Sequence, residues 1–254
     1  MERQILEHVS LRVSGAIRIR DAFSGKAVTN GIQIRTGGGG RTVLKPGGFC
    51  LFLNMETETF DAEITSAIYQ SRRLVLEADG GRTVQDVFLY PSAAYPAERN
   101  TTVVSGHAHA GAMLYFHLEE ERMGFRLLRD CEKGAKEISI FTGGRAGAVS
   151  GLWFIRDHRT GNGMYVRAPE PENETALSIL PEPLGCAYRK KDAVLYPAIE
   201  CMAGEDGEFY LFLNHLKEQS YQLFYSCMQD KKVTDGKIEI RGCSDCRIPE
   251  IGSS

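Results

Sequence analysis

The sequence has no apolar run approaching the roughly 18–20 residues needed to cross a bilayer as a helix, so no membrane insertion is expected of it. Its opening, Met1-Glu2-Arg3-Gln4-Ile5-Leu6-Glu7-His8, lacks the apolar core of a secretory signal peptide. That predicts cytoplasmic synthesis without export, or a place in a particle assembled in the cytoplasm. A charge excess is also missing. Lys plus Arg number 30 against 33 Asp plus Glu, a net charge of −3. This balance offers no electrostatic basis for a nucleic-acid partner. Tryptophan occurs once, at Trp153. The seven cysteines are scattered and odd in number. Cys50, Cys131, Cys186, Cys201 and Cys227 sit in apolar or mixed runs, the usual place of a free thiol in a reducing compartment.

Recognisable catalytic words are missing too. There is no Gly-x-Ser-x-Gly elbow. The run Gly37–Gly40 leads into Arg41-Thr42-Val43-Leu44, a strand pattern, where a phosphate-binding loop requires Gly-Lys-Ser/Thr opening a helix. No catalytic residue, no cofactor and no enzymatic activity are assigned. The acidic runs Glu119-Glu120-Glu121 and Pro169-Glu170-Pro171-Glu172 read as solvated faces. A glycosidase carboxylate pair needs only proximity in space, which spacing does not reveal.

Glycine and short alternating runs are what the chain has in quantity. Val9, Leu11, Val13, Gly15, Ile17 and Ile19 alternate with Ser10, Arg12, Ser14, Ala16, Arg18 and Arg20, a half-buried strand. Further strand patterns follow at Ile32–Arg35, Thr42–Leu44, Phe49–Asn54, Phe60–Ser66, Arg72–Ala78 and Val84–Tyr90. Turn residues separate them every eight to twelve positions, which predicts a Greek-key sandwich over residues 1–92. The word Gly-Gly-Arg closes three predicted hairpins, at Gly39–Arg41, Gly80–Arg82 and Gly143–Arg145.

One eight-residue word occurs twice. Gly47-Gly48-Phe49-Cys50-Leu51-Phe52-Leu53-Asn54 returns as Gly207-Glu208-Phe209-Tyr210-Leu211-Phe212-Leu213-Asn214. Val103-Val104-Ser105-Gly106 also echoes Val13-Ser14-Gly15. These echoes predict a second sandwich whose first strand lies in 93–120, after a linker, and whose remainder lies in 199–254. Residues 121–198 then form an inserted small β-barrel, with strands near Phe125, Ile138, Leu152–Ile155, Met164–Val166 and Leu177–Leu180. A rival alignment sets Ile19-Arg20-Asp21 beside Ile155-Arg156-Asp157 and implies a tandem arrangement. The expected class is all-β either way.

Asp21-x-x-x-Gly25-x-x-Val28, Gly47-x-Phe49-x-x-Phe52, Tyr69 and Val87-x-Leu89-x-Pro91 together resemble the carboxypeptidase regulatory-like, or transthyretin-like, β-sandwich superfamily over about residues 9–92. The resemblance implies an accessory or adhesive module. The middle segment is similar to β-barrel inserts of phage-tail-like proteins. A non-enzymatic structural or assembly module is expected, docking with other protein subunits of a larger particle or with its own copies. A phage-tail-like or contractile injection particle is one setting. The alternative is a carbohydrate-binding accessory module.

Three features carry candidate chemistry. His107, His109 and His117 share one parity, so they form a candidate metal set. The odd face they occupy otherwise reads as solvent-exposed. Cys243-Ser244-Asp245-Cys246 is a single C-x-x-C in a polar tail. It reads as incidental thiols, a local staple or half of a metal site. Trp153, flanked by Leu152 and Phe154, is a candidate for stacking on a sugar or a core residue.

Overall fold

A computed structural model describes residues 11–120, 122, 124–141, 151–167, 175–180, 182–229, 232–248 and 250–251. It is all-β, with nineteen strands and one short 3₁₀ turn at Pro46–Gly48 among the described residues. Gly143–Arg145, Glu121 and the Pro169–Glu172 run lie outside them. The chain divides into two compact units, Met1–Asp21 with Lys26–Tyr95 and Ala22–Gly25 with Pro96–Ser254.

The first unit contains β1 (Val13–Asp21), β2 (Ile32–Thr36), β3 (Arg41–Leu44), β4 (Phe49–Leu53), β5 (Thr59–Ser66), β6 (Arg72–Glu77) and β7 (Val84–Leu89). One sheet runs β3-β4-β1-β7 and the other β2-β5-β6. Period-two alternation sends Ile17, Ile19, Phe52, Phe60, Ile64 and Leu89 into one core between them. The Phe52 and Phe60 rings meet there at 5.1 Å. Gly38, Gly39 and Gly40 have φ of 85°, 75° and 79°, and Gly80 and Gly81 have 75° and 72°. The glycines supply left-handed backbone, but not in the expected hairpins, since β2–β3 and β6–β7 each cross from one sheet to the other. Asp21, only 4% exposed, ends β1. Its carboxylate accepts from the Tyr69 hydroxyl at 2.8 Å and from the Tyr95 hydroxyl at 2.5 Å.

The second unit contains β8 (Thr102–His107), β9 (Met113–Leu118), β10 (Phe125–Leu127), β11 (Glu137–Phe141), β12 (Leu152–Asp157), β13 (Gly163–Arg167), β14 (Thr175–Ile179), β15 (Ala193–Met202), β16 (Glu208–Leu213), β17 (Ser220–Gln229), β18 (Lys232–Arg241) and β19 (Asp245–Arg247). Its sandwich repeats the pairing scheme of the first unit. β1 pairs antiparallel with β4 and parallel with β7; β8 pairs antiparallel with β16 and parallel with β19. β2 pairs with β5 and β5 with β6; β9 pairs with β17 and β17 with β18. The repeated word thus forms β4 and β16 at equivalent places. The extra chain enters after β9 and leaves before β16, where the first unit has β3. The rival alignment instead sets β1 beside β12, whose partners are β13 and β15.

The inserted strands do not close on themselves among the described residues. With β15 they run β14-β11-β10-β15-β12-β13, and β15 continues into the second sandwich by pairing β9. One face surrounds a core of Phe125, Ile138, Ile140, Trp153, Ile155 and Leu195. Pro197 lies inside β15, opposite Trp153, at the step where pairing passes from β12 to β9. A proline has no N–H to give a ladder, so a change of partner is a position that tolerates it. The supposed polar tail contributes β19, whose Cys246 packs on the sandwich core.

Candidate functional site

Register places three cross-strand rows on one face of the second unit's large sheet. Ala198, His117, Phe224 and Lys237 form the first row, on β15, β9, β17 and β18. Glu200, Tyr115, Ser226 and Asp235 form the second. Met202, Met113, Met228 and Val233 form the third. The hairpin of β12 and β13 contributes Phe154, Arg156, Tyr165 and Arg167 to the same side. His117, Phe224, Tyr115, Ser226, Asp235, Met228 and Val233 from these rows, with the hairpin residues, bound a groove of about 770 Å³, within the usual range of roughly 300–1,000 Å³ for ligand pockets.

His117 is the centre of this face. Its ring lies against Phe154, centroids 3.7 Å apart, and against Phe224 at 5.2 Å, both within 15° of parallel. The odd face of β9 was expected to be solvated, yet His117 is only 5% exposed. The cover comes from β12 and β13, forty residues downstream, which local alternation does not register. Gly163 makes room for it. A Cβ there would stand 2.3 Å from the Phe154 ring, so the glycine lets that ring lie flat.

Polar contacts complete the clamp. His117 Nε2 lies 3.2 Å from Glu119 Oε1, and Nδ1 lies 2.9 Å from the Tyr165 hydroxyl. That hydroxyl also reaches the Tyr115 carbonyl oxygen at 3.1 Å. Burial pushes the His117 pKa down, against the pull of Glu119. A neutral ring donates from Nε2 to Glu119 and accepts at Nδ1 when the single proton of the Tyr165 hydroxyl turns to the ring in place of the Tyr115 carbonyl. Burial alone would raise the Glu119 carboxyl, but hydrogen bonds from His117 and Arg156 outweigh it and hold it low. Arg156 donates to Glu119 at 2.7 Å and to the Gly161 carbonyl at 2.9 Å. Arg167 pairs with the buried Glu200, and Ser226 donates to Asp235. Two of the cations are thus paired with carboxylates, Arg156 with Glu119 and Arg167 with Glu200. Met228 and Val233 are exposed on the same face.

The three histidines do not meet. His107 ends β8, in the other sheet, with Nε2 3.4 Å from Glu208 Oε1. His109 is exposed in the following loop, its Nδ1 3.2 Å from the Ala110 carbonyl oxygen. Among the described residues no three His, Cys, Asp or Glu side chains converge as a metal site. Trp153 is fully buried, with Phe125 edge-on at 5.0 Å, so no face of its ring is open to a sugar. Cys243 and Cys246 are free thiols, and Cys243 Sγ lies 3.1 Å from the Leu216 carbonyl oxygen. Cys227 is buried on β17.

Sequence reasoning missed the groove residues Tyr115, Phe154, Arg156, Tyr165, Arg167, Phe224 and Asp235. A usable signal was present in Leu152-Trp153-Phe154-Ile155, which is apolar at both parities and so marks a strand covered on both faces.

No family model matches the chain, and no curated protein matches it. Among solved structures it is similar to a mutant form of the shaft pilin spaA from Lactobacillus rhamnosus GG. The identity is 8%, the match covers 95% of this chain and 97% of that chain, and the TM-score is 0.23. At that score the likeness carries no argument about fold or role. The chain's affiliation therefore rests on its own architecture, an all-β protein with one sandwich scheme used twice.

Proposed function

We propose that this chain is a non-enzymatic structural module that docks with other protein subunits in a larger assembly. The observation that carries the reading is the repetition of one strand-pairing scheme in two units, the second extended to a nine-stranded sheet. Such a sheet offers long edges to a partner chain. The groove supports the same reading, because Arg156 and Arg167 are paired with Glu119 and Glu200. The resemblance of residues 9–92 to accessory sandwiches points the same way, and a phage-tail-like particle is the more specific setting. Chemical cross-linking in the source cells, followed by mass spectrometry, tests it. Links from Lys232 or Lys237 to a protein subunit are expected; links only within the chain overturn it.

A second reading is a carbohydrate-binding module. The groove favours it, since Tyr115 and Tyr165 pack at 5.2 Å beside Arg167 and Asp235. Aromatic faces and planar hydrogen-bonding groups suit a neutral sugar. Glycan-array binding lost in Tyr115→Ala supports this reading, and a blank array removes it.

A further inference from the structure

The strand β18 is an edge. Among the described residues it pairs only with β17, and its ten residues contain no proline. Alternate positions Asp235, Lys237, Glu239 and Arg241 are all exposed. Their charges run minus, plus, minus, plus. The opposite parity holds Gly236, Ile238 and Ile240, with Ile240 buried and Ile238 partly buried against the sandwich core. The other strands with a single partner, β2, β3, β6, β7, β13, β14, β16 and β19, carry no such alternation of four charges.

Charges on an edge strand commonly discourage pairing, lysine above all. An alternating series behaves differently when it meets its own reverse. Antiparallel pairing of two copies about a two-fold axis at Ile238 sets residue 237 opposite 239 and residue 235 opposite 241. Lys237 then faces Glu239 and Asp235 faces Arg241, each pair occurring twice. On the other face Ile238 meets Ile238 of the second copy, and Ile240 meets Gly236. Opposite charges placed directly across a ladder stabilise it, and like charges there destabilise it. Shifting the axis by two residues along the strand leaves part of the series without opposite partners. The self-complementary register is therefore the one centred on Ile238.

We propose that the free edge of β18 is a self-association edge. It joins two copies of this chain antiparallel, about a two-fold axis through Ile238, into one continuous sheet. This is an isologous interface, the commonest kind in soluble oligomers. It adds to the assembly reading above by naming one docking partner as a second copy. Arg241 must exchange its present partner, Glu218 at 2.8 Å, whose side chain and its own are 70% and 65% exposed. Exposed pairs of that kind contribute little to stability, so the exchange costs little.

Light scattering coupled to size exclusion tests the proposal, at low salt and protein concentrations up to about 100 µM, a weak-to-moderate regime. The wild type should show a mass twice that of the 28.2 kDa chain. Lys237→Glu sets two carboxylates across the axis and should weaken association about tenfold or more. Adding Glu239→Lys to it restores opposite charges and should restore the dimer. Both changes are on exposed positions, so folding by circular dichroism should be unchanged. A wild type that stays at the single-chain mass overturns the proposal, as does a dimer indifferent to Lys237→Glu or one that the double reversal fails to rescue. Failure here leaves the assembly reading standing if cross-links to other subunits are found. A dimer without such links does the converse.

Discussion

The imidazole of His117 lies flat on the ring of Phe154, centroids 3.7 Å apart and planes 15° from parallel. That contact closes the face of β9 that its own alternation left for solvent. It also makes the fold sensitive to acid.

The sign follows from the direction of the shift. Burial lowers the His117 pKa below its ordinary value of 6.5. As pH falls past that value, the unfolded chain takes up a proton that the folded chain resists, and stability falls. Glu119, held below its ordinary 4.5, adds a second loss at lower pH, as it is protonated. Arg156 and Asp235 also face the ring and oppose each other. The unfolding midpoint should drop between pH 7.5 and 5.5. His117→Phe keeps the stack without the titration and should flatten that slope. Thermal melts by circular dichroism at several pH values read both; equal slopes remove the account.

The repeated word makes a graded prediction. Gly47 and Gly207 open the two copies with φ of 77° and 81°. Alanine at either must enter the left-handed region, at a cost of about 1–2 kcal/mol. A Cβ at Gly47 would meet only the Phe49 ring, at 3.3 Å, whereas one at Gly207 would stand 2.5 Å from the Ala108 carbonyl oxygen. Gly207→Ala should therefore cost about 1–3 kcal/mol more, as overpacking does. Urea unfolding of the two variants measures the difference.

Asp21 ties the end of β1 to Tyr69 and Tyr95 within the first unit. Each phenol donates to a carboxylate, and such bonds contribute about 1.5–3 kcal/mol. Tyr95→Phe should lose a value in that range, and Asp21→Ala more than either phenol variant alone. The Tyr69 hydroxyl should also resist ionisation, since burial and Asp21 raise its pKa well above the ordinary 10.0. Ultraviolet titration of wild type against Tyr69→Phe in alkaline buffer checks this.

Thiol reactivity should split along burial. Cys50 and Cys201 are pushed up by burial to about 11 and about 12, and Cys131 and Cys227 are raised for the same cause. Reaction needs the thiolate and access. Iodoacetamide at pH 8 should modify Cys186 and Cys243 first, Cys246 more slowly because burial raises its thiol too, and the other four only after denaturation. Intact-protein mass spectrometry with peptide mapping reads the order.

The first sandwich was legible because its signals are local. Alternation in Val13–Arg20 and Phe60–Ser66, with glycine turns between, specifies strand and face within a few residues of one another. The turns at Gly37–Gly40 and Gly80–Gly81, however, cross between sheets and are not the hairpins that their sequence predicted. The equivalence of β4 and β16 was legible because the same word serves the same place. What stayed hidden depends on distant chain. The cover over His117 comes from Phe154 and Tyr165, and nothing near His117 announces it. The pairing of β19 with β8 joins Cys246 to Val104, so a segment that looked like a polar tail completes a sheet. Trp153 was ambiguous in sequence because both of its neighbours are apolar, and burial assigns it to the core.

The central claim is that this chain works as a docked structural part. Sedimentation of a gentle lysate from its source, with the chain followed by antibody, tests that most directly. The account predicts that it travels with a particle far heavier than a dimer of 28.2 kDa chains and is released by high salt. A chain found only at the top of the gradient, at monomer or dimer mass, would contradict it.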